Sequence, residues 1–335
     1  MNELILTRAN HLVDPTMHVW AWQIPIYLFL GGWVAGMMIL SGYYLYVQTP
    51  KNGDTFRFPR PGGPKTESVT VFTPCTCRLT PWLGLVLLTL GMGALFLDLE
   101  HKPYVWRLYT TFEPGSPMSW GSWILLLVYP ALLAAALVRP PAWLGDLVLS
   151  VERAGHWFAA RPGAVRVVAV ANILLGVALG IYTGILLSAL GARPLWNSAL
   201  LGPLFLFSGL SSSAAFVHLV ARNREEREAL ARADIVFLGI ELVLIALLVL
   251  GLLSSTHAHR DAAGLILGGP YTAVFWVLVV GFGIIVPLII QPLAVTHRVH
   301  HTPIAPLLVL AGGLALRFVM VEAGQVSHWA GRLTP

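Results

Sequence analysis

Gln23 and Tyr27 stand four residues apart, so on a helix their side chains share one face. Pro25 between them has no N–H and is expected to leave the Ala21 carbonyl without its helical donor. An amide, a phenol and a free carbonyl suit the polar head of a small ligand. The same pair near a helix end equally suits an anchor at the level of lipid headgroups. Tyr182 lies two residues from Gly180 and two from Gly184. It therefore points roughly 200° away from the small-residue stripe Gly176, Gly180, Gly184 and Ser188, towards a cavity or towards lipid. Asp98, followed by Glu100, His101 and Lys102, is either a solvated cap or a carboxylate that trades protons between a bound headgroup and water. Glu241 and Arg317 interrupt apolar runs, where ionisable groups are costly and mark either function or a structural ion pair. With Asp234 and His218, Glu241 could begin a proton route.

Other chemistry is argued against by what the residues lack. A membrane haem needs an axial histidine at depth, yet all eleven histidines fall in expected loops or near span ends, so no haem is expected. The cluster His297, His300, His301 looks metal-like, but in so basic a loop it reads as an inward-facing anchor. Cys75 and Cys77 form one C-x-C, too few thiolates for structural zinc or an iron–sulfur cluster, and read as reduced loop thiols. No metal site is expected. If electrons reach this chain through metal centres, a second subunit carries them. Gly91-Met92-Gly93 lies inside an apolar run with no strand before it, so it is no nucleotide fingerprint.

The elements that must position these residues follow from composition. Of 335 residues, 56% are hydrophobic and 11% charged, with a mean hydropathy of +0.73. A soluble domain has about 25% charged residues. Soluble enzymes, disordered chains and disulfide scaffolds are thereby excluded. Eight apolar runs long enough to span a bilayer cover about 22–47, 81–98, 119–138, 164–190, 198–220, 234–253, 271–293 and 303–325. The first is too long for a signal-peptide core and reads as a retained span. The segment 143–158 suits an interfacial amphipathic helix. The fold class expected is all-α, a polytopic membrane protein, with 22–190 as a ligand-binding four-helix bundle and 198–325 as a second.

Charge sets the expected orientation. One set of alternate loops carries fourteen Lys and Arg, the other set with both termini carries six. By the positive-inside rule both termini face the periplasm. The net charge of +5 thus serves topology, and no nucleic acid is expected as a partner. Trp20, Trp22, Trp106, Trp120, Trp196 and Trp329 suit an outer interfacial belt, Trp82 and Trp143 an inner one. Gln23, Tyr27, Asp98, Trp120 and Tyr182 then share the outer leaflet. A helix hydroxyl in an apolar slot open to lipid is the donor that a quinone carbonyl requires.

The string Ser116-Pro117-Met118-Ser119-Trp120-Gly121, together with Trp106–Tyr109, Tyr27–Gly32, Tyr182–Ser188, Arg193–Asn197 and Arg317–Gln325, resembles the NrfD/PsrC family of polysulfide-reductase-type membrane subunits. The resemblance covers nearly the whole chain. It implies a haem-free membrane anchor exchanging electrons between menaquinone or ubiquinone and a four-cluster ferredoxin-like iron–sulfur subunit. Through that subunit it implies a molybdopterin oxidoreductase or a multihaem cytochrome. It also implies a quinone held among the first four helices near the outer face. Tyr182 matches the family's quinone-site tyrosine; Gln23 falls where a related member has Asn, and Tyr27 where it has His. Asp234 and Glu241 match the family's carboxylate path loosely. Membrane lipid is a partner throughout. Two rival readings stand beside this one: a secondary transporter with a Glu241/Arg317 midplane site, and a structural anchor without quinone chemistry.

Overall fold

The computed structural model describes residues 20–49, 75–99, 101–138, 140, 149–221, 224–296 and 303–327. Among these, the elements in chain order are α1 (Gln23–Gln48), α2 (Cys75–Asp98), a 3-10 turn (Lys102–Tyr104), the short α3 (Arg107–Thr110), α4 (Pro117–Val138) and α5 (Leu149–Ala159). There follow α6 (Pro162–Ser188), α7 (Leu201–Val220), α8 (Arg224–Ser254), α9 (His257–Leu267), a π-helical stretch (Val274–Ile285) running into α10 (Val286–Val295), and α11 (Ile304–Val326). Eight of these are long and apolar enough to cross a membrane, and they match the eight expected runs. A bilayer core cannot hydrogen-bond a bare backbone, so helices are the solution for an open chain of such spans. The chain is an all-α polytopic membrane protein.

Close glycine approaches knit the helices. A Cβ on Gly209 of α7 would meet the Gly32 backbone of α1, so the two helices touch main chain to main chain. The stripe read from the sequence works in the same way: Gly176 accepts Ala35 and Met38 of α1, and Gly184 accepts Leu201 at the start of α7. Pairings fix the directions. Tyr27 lies by Gly91 and Val34 by Gly84, while Gly42 meets Ala169, so α1 runs antiparallel to α2 and α6. Val34, Ala35, Leu88, Val128, Leu132 and Leu179 form the buried seam among α1, α2, α4 and α6. The outward faces stay apolar: Val236, Val243 and Leu250 of α8 are all more than half exposed, as lipid contact demands.

Three expectations are corrected. First, α8 starts ten residues before position 234, at Arg224. Its extra turns carry Glu225 and Glu226 at the positive helix end and the ion pairs Arg224–Glu228 (3.1 Å) and Arg232–Glu228 (3.7 Å), which make helix without apolarity. Second, Cys75 and Cys77 lie in the first turns of α2 rather than in a loop. From Leu149 on, the amphipathic segment is helical as α5, while its first part, 143–148 with Trp143, and likewise Trp329, lie outside the described residues.

Third, Trp196 is no interfacial anchor. It is fully buried, stacks on Trp20 at 5.3 Å between ring centres, donates from Nε1 to the Met320 carbonyl at 2.7 Å, and fills the notch left by Gly324. Gln325 clamps the neighbouring Trp20 backbone from both sides, accepting from its N–H and donating to its carbonyl at 2.9 Å each. Trp196→Leu is therefore expected to cost about 3 kcal/mol, chiefly through lost packing and the lost bond to the Met320 carbonyl. The same change at Trp106, which is 55% exposed, should cost under about 0.5 kcal/mol. Unfolding in mixed detergent micelles measures both.

Candidate functional site

The string that carries the resemblance builds the N-terminus of α4. Pro117 occupies its first turn, where a missing N–H is harmless. The Ser119 hydroxyl accepts from the Glu113 N–H at 3.0 Å, Trp120 Nε1 donates to the Pro114 carbonyl at 2.7 Å, and the Ser122 hydroxyl donates to the Leu108 carbonyl at 2.7 Å. The loop between α2 and α4 is thus folded back onto α4, which turns Leu108 and Tyr109 inward while Trp106, Arg107 and Thr110 stay exposed. Gly121 does something else. A Cβ there would fall on Cζ and the hydroxyl of Tyr182, so the missing side chain is the recess that receives that phenol.

Three phenols converge at this end. Tyr182 is buried, facing α4 rather than lipid, and Tyr27 is buried at 3% exposure. The Tyr27 hydroxyl is in electrostatic range of those of Tyr182 and Tyr109. Burial raises the Tyr109 phenol above its ordinary value, with Tyr129 pushing the same way. One turn before Tyr27, the amide oxygen of Gln23 is buried without a hydrogen-bond partner. A lone buried acceptor of this kind is costly and leaves room for a donor from an ordered water or a ligand. Pro25 contributes less than expected: α1 begins at Gln23, so Pro25 sits in the first turn and the Ala21 carbonyl lies outside the helix. Asp98 ends α2, partly exposed, and none of its described contacts ties it to the phenols. Glu100 and the cluster His297, His300, His301 lie outside the described residues.

The remaining sequence-selected residues gather elsewhere, between α7, α8, α10 and α11. Asp234 is 1% exposed and accepts hydrogen bonds from the Ser211 hydroxyl at 2.7 Å and from Gln291 Nε2 at 2.5 Å. The amide oxygen of Gln291 has no partner, and Gln291 with His218 lines a cavity of about 10 Å³, room for one water. Two turns further along α8, Glu241 faces Ser208. That same hydroxyl accepts from Arg317 Nη1 at 2.8 Å, while Nη2 donates to the Phe205 carbonyl at 2.9 Å and the guanidinium lies 4.2 Å from the Phe205 ring centre. Glu241 and Arg317 are thus joined through a serine rather than by direct ion pairing. Sequence reading missed Ser208, Ser211 and Gln291, although a Gln and four serines on apolar spans were the available signal.

A helical membrane bundle with one phenol-lined site near one end and a buried carboxylate–serine–arginine set is the class these features define. Residues 11–328 match the family model described as polysulphide reductase, NrfD, and the chain belongs to that family. It is 30% identical to the protein NrfD of Escherichia coli over 92% of this chain and 96% of that one. It is 27% identical to a polypeptide of the polysulfide reductase of Wolinella succinogenes, over 92% of this chain and 94% of that one. A component of the selenate reductase of Mesobacillus selenatarsenatis is 23% identical over 93% and 75%. The resemblance read from the Ser116–Gly121 string is therefore confirmed, and with it a multi-pass protein of the bacterial inner membrane.

Proposed function

We propose that this chain is the quinone-reactive membrane subunit of a respiratory reductase complex, taking or giving electrons through an iron–sulfur partner. The observation that carries the reading is the convergence of Tyr27, Tyr182 and the orphaned Gln23 amide at one end of α1 and α6. Two phenol donors suit the carbonyls of menaquinone or ubiquinone, and the free Gln23 oxygen suits the hydroxyl of the reduced form. When bound, the quinone supplies two-electron, two-proton redox chemistry. The chain's own part is to hold the headgroup, exclude water from it and hand protons onward. Asp98, partly open at the end of α2, would release protons at the outer face. Asp234 and Glu241 would form an inner branch in which Asp234 holds Ser211 and Gln291 while Ser208 connects Glu241 to Arg317. The four-cluster ferredoxin-like partner, and the molybdopterin or multihaem enzyme beyond it, would dock at the outer loop 99–118.

Tyr182→Phe tests the assignment in membranes carrying the assembled complex. Removing one buried donor should lower quinone-dependent turnover by about fivefold to a hundredfold, from about 1–3 kcal/mol for an unpaired partner. Unaltered turnover would sink it. Titrating the purified complex with a menaquinone analogue, read by tryptophan fluorescence, separates this reading from a purely structural anchor. Solute uptake by the chain alone in liposomes would instead favour a transporter centred on Glu241 and Arg317.

A further inference from the structure

The phenols do not stop at Tyr182, Tyr27 and Tyr109. Tyr109 is in turn in electrostatic range of Tyr129, on α4. The Tyr129 hydroxyl meets Thr89 of α2 at 3.5 Å, and that bond is on the exposed side of both helices. Thr89 spends its own proton on the Leu85 carbonyl at 2.8 Å, so Tyr129 is the donor of this weak cross-helix bond. One turn on, Gly93 shares the outward face of Thr89 and has nothing within 4 Å of where a Cβ would be. Gly91, two residues from each, faces inward against the Tyr27 ring. Thr89 and Gly93 therefore leave a gap of small side chains on the lipid front of α2, bordered by the exposed Val86, Leu90, Phe96 and Leu97. Immediately behind it begins a row of hydroxyls leading to the buried end of the site.

We infer that the seam between α2 and α4, with Thr89, Gly93 and Tyr129 at its lipid edge and Tyr109 as its roof, is the portal through which a lipid-dissolved isoprenoid quinone reaches Tyr27 and Tyr182. The inference rests on the quinone reading above. Each geometric element has a use in it. The gap at Thr89 and Gly93 admits a flexible apolar tail between the exposed side chains that border it. The Tyr129–Thr89 bond, long and lipid-exposed, opens at small cost. The successive hydroxyls offer the polar headgroup a partner at each stage of its passage, which lowers the penalty of carrying it through an apolar wall. The hydrogen bond from Ser122 to the Leu108 carbonyl holds the roof in place.

The test plugs the mouth. Thr89→Trp puts bulk on a side chain already exposed to lipid, and Val243→Trp on α8, at 57% exposure, is the control for added bulk in the bilayer. In membranes carrying the assembled complex, Thr89→Trp should raise the KM for a long-tailed quinone about tenfold with kcat little changed. A short-tailed, water-soluble analogue should be affected far less, and Val243→Trp should do nothing. Equal KM values for wild type and Thr89→Trp would overturn the portal. An independent measurement does not depend on that variant: a menaquinone analogue carrying a photoreactive group on its tail, irradiated in wild-type membranes, should label peptides around Thr89 and Tyr129. Labelling confined to other helices would overturn the portal while leaving the headgroup site intact. If wild type binds no menaquinone analogue, the quinone reading itself fails, and the fluorescence titration shows that separately.

Discussion

Gly121→Ala is expected to abolish most quinone-dependent turnover while leaving the chain folded and inserted. The substitution adds a single methyl group, ordinarily among the mildest changes in a helix and favourable by propensity. Here that methyl would occupy the position of Cζ and the hydroxyl of Tyr182. Two backbones cannot retreat easily, because Gly184, two residues from Tyr182, is itself in contact with the Leu201 main chain on the other side of α6. The phenol must therefore leave its recess. If turnover falls about a hundredfold, the transition state has lost roughly 2.7 kcal/mol. Because both changes act on one hydroxyl, combining Gly121→Ala with Tyr182→Phe should be scarcely worse than the more damaging of the two alone. Full turnover in Gly121→Ala, or additive losses in the double variant, would show that the position of this phenol is irrelevant.

The second large effect concerns stability. Arg317 is 1% exposed and donates to Ser208 and the Phe205 carbonyl, with its positive charge facing Glu241 across the serine. Arg317→Leu removes the charge, both bonds and the stacking on Phe205, and leaves Glu241 in the membrane interior uncompensated. Breaking a buried charge pair from one side costs about 3–5 kcal/mol. Unfolding in mixed micelles should show a loss of that order. Adding Glu241→Gln to Arg317→Leu should return part of it, since the orphaned charge is then gone. A single variant as stable as wild type would mean that Glu241 carries no charge in need of balancing.

The residues explain why some of this was visible in advance. Span positions follow from length and apolarity, which the bilayer enforces one helix at a time. That Tyr182 points away from the Gly176–Gly184 stripe follows from angular bookkeeping, because a helix fixes 100° per residue whatever its neighbours, but the choice between lipid and the Gly121 recess rests on where α4 packs. Trp196 was misplaced because a tryptophan beside a loop looks the same in sequence whether its N–H meets a lipid headgroup or the Met320 carbonyl. Ser208 and Ser211 went unread for a related reason: serine in an apolar helix commonly bonds its own preceding turn, as Ser188 does with Ile185. Only the packed neighbours Asp234 and Arg317 reveal that these two do more. Tyr109 lay in a loop whose fold depends on Ser122, fourteen residues away from the carbonyl it holds. Contacts of that kind belong to tertiary structure, and no periodicity announces them.

The Gln325 clamp on Trp20 joins residues 305 positions apart in the chain. Biosynthesis releases the opening span into the membrane long before the ribosome has made its last one. The mouth of α1, one turn ahead of Gln23, therefore takes its final position only when α11 arrives. Maturation of the phenol-lined pocket is a terminal event in assembly, and a stalled or shortened chain would carry every aromatic of the site and still lack its fixed geometry.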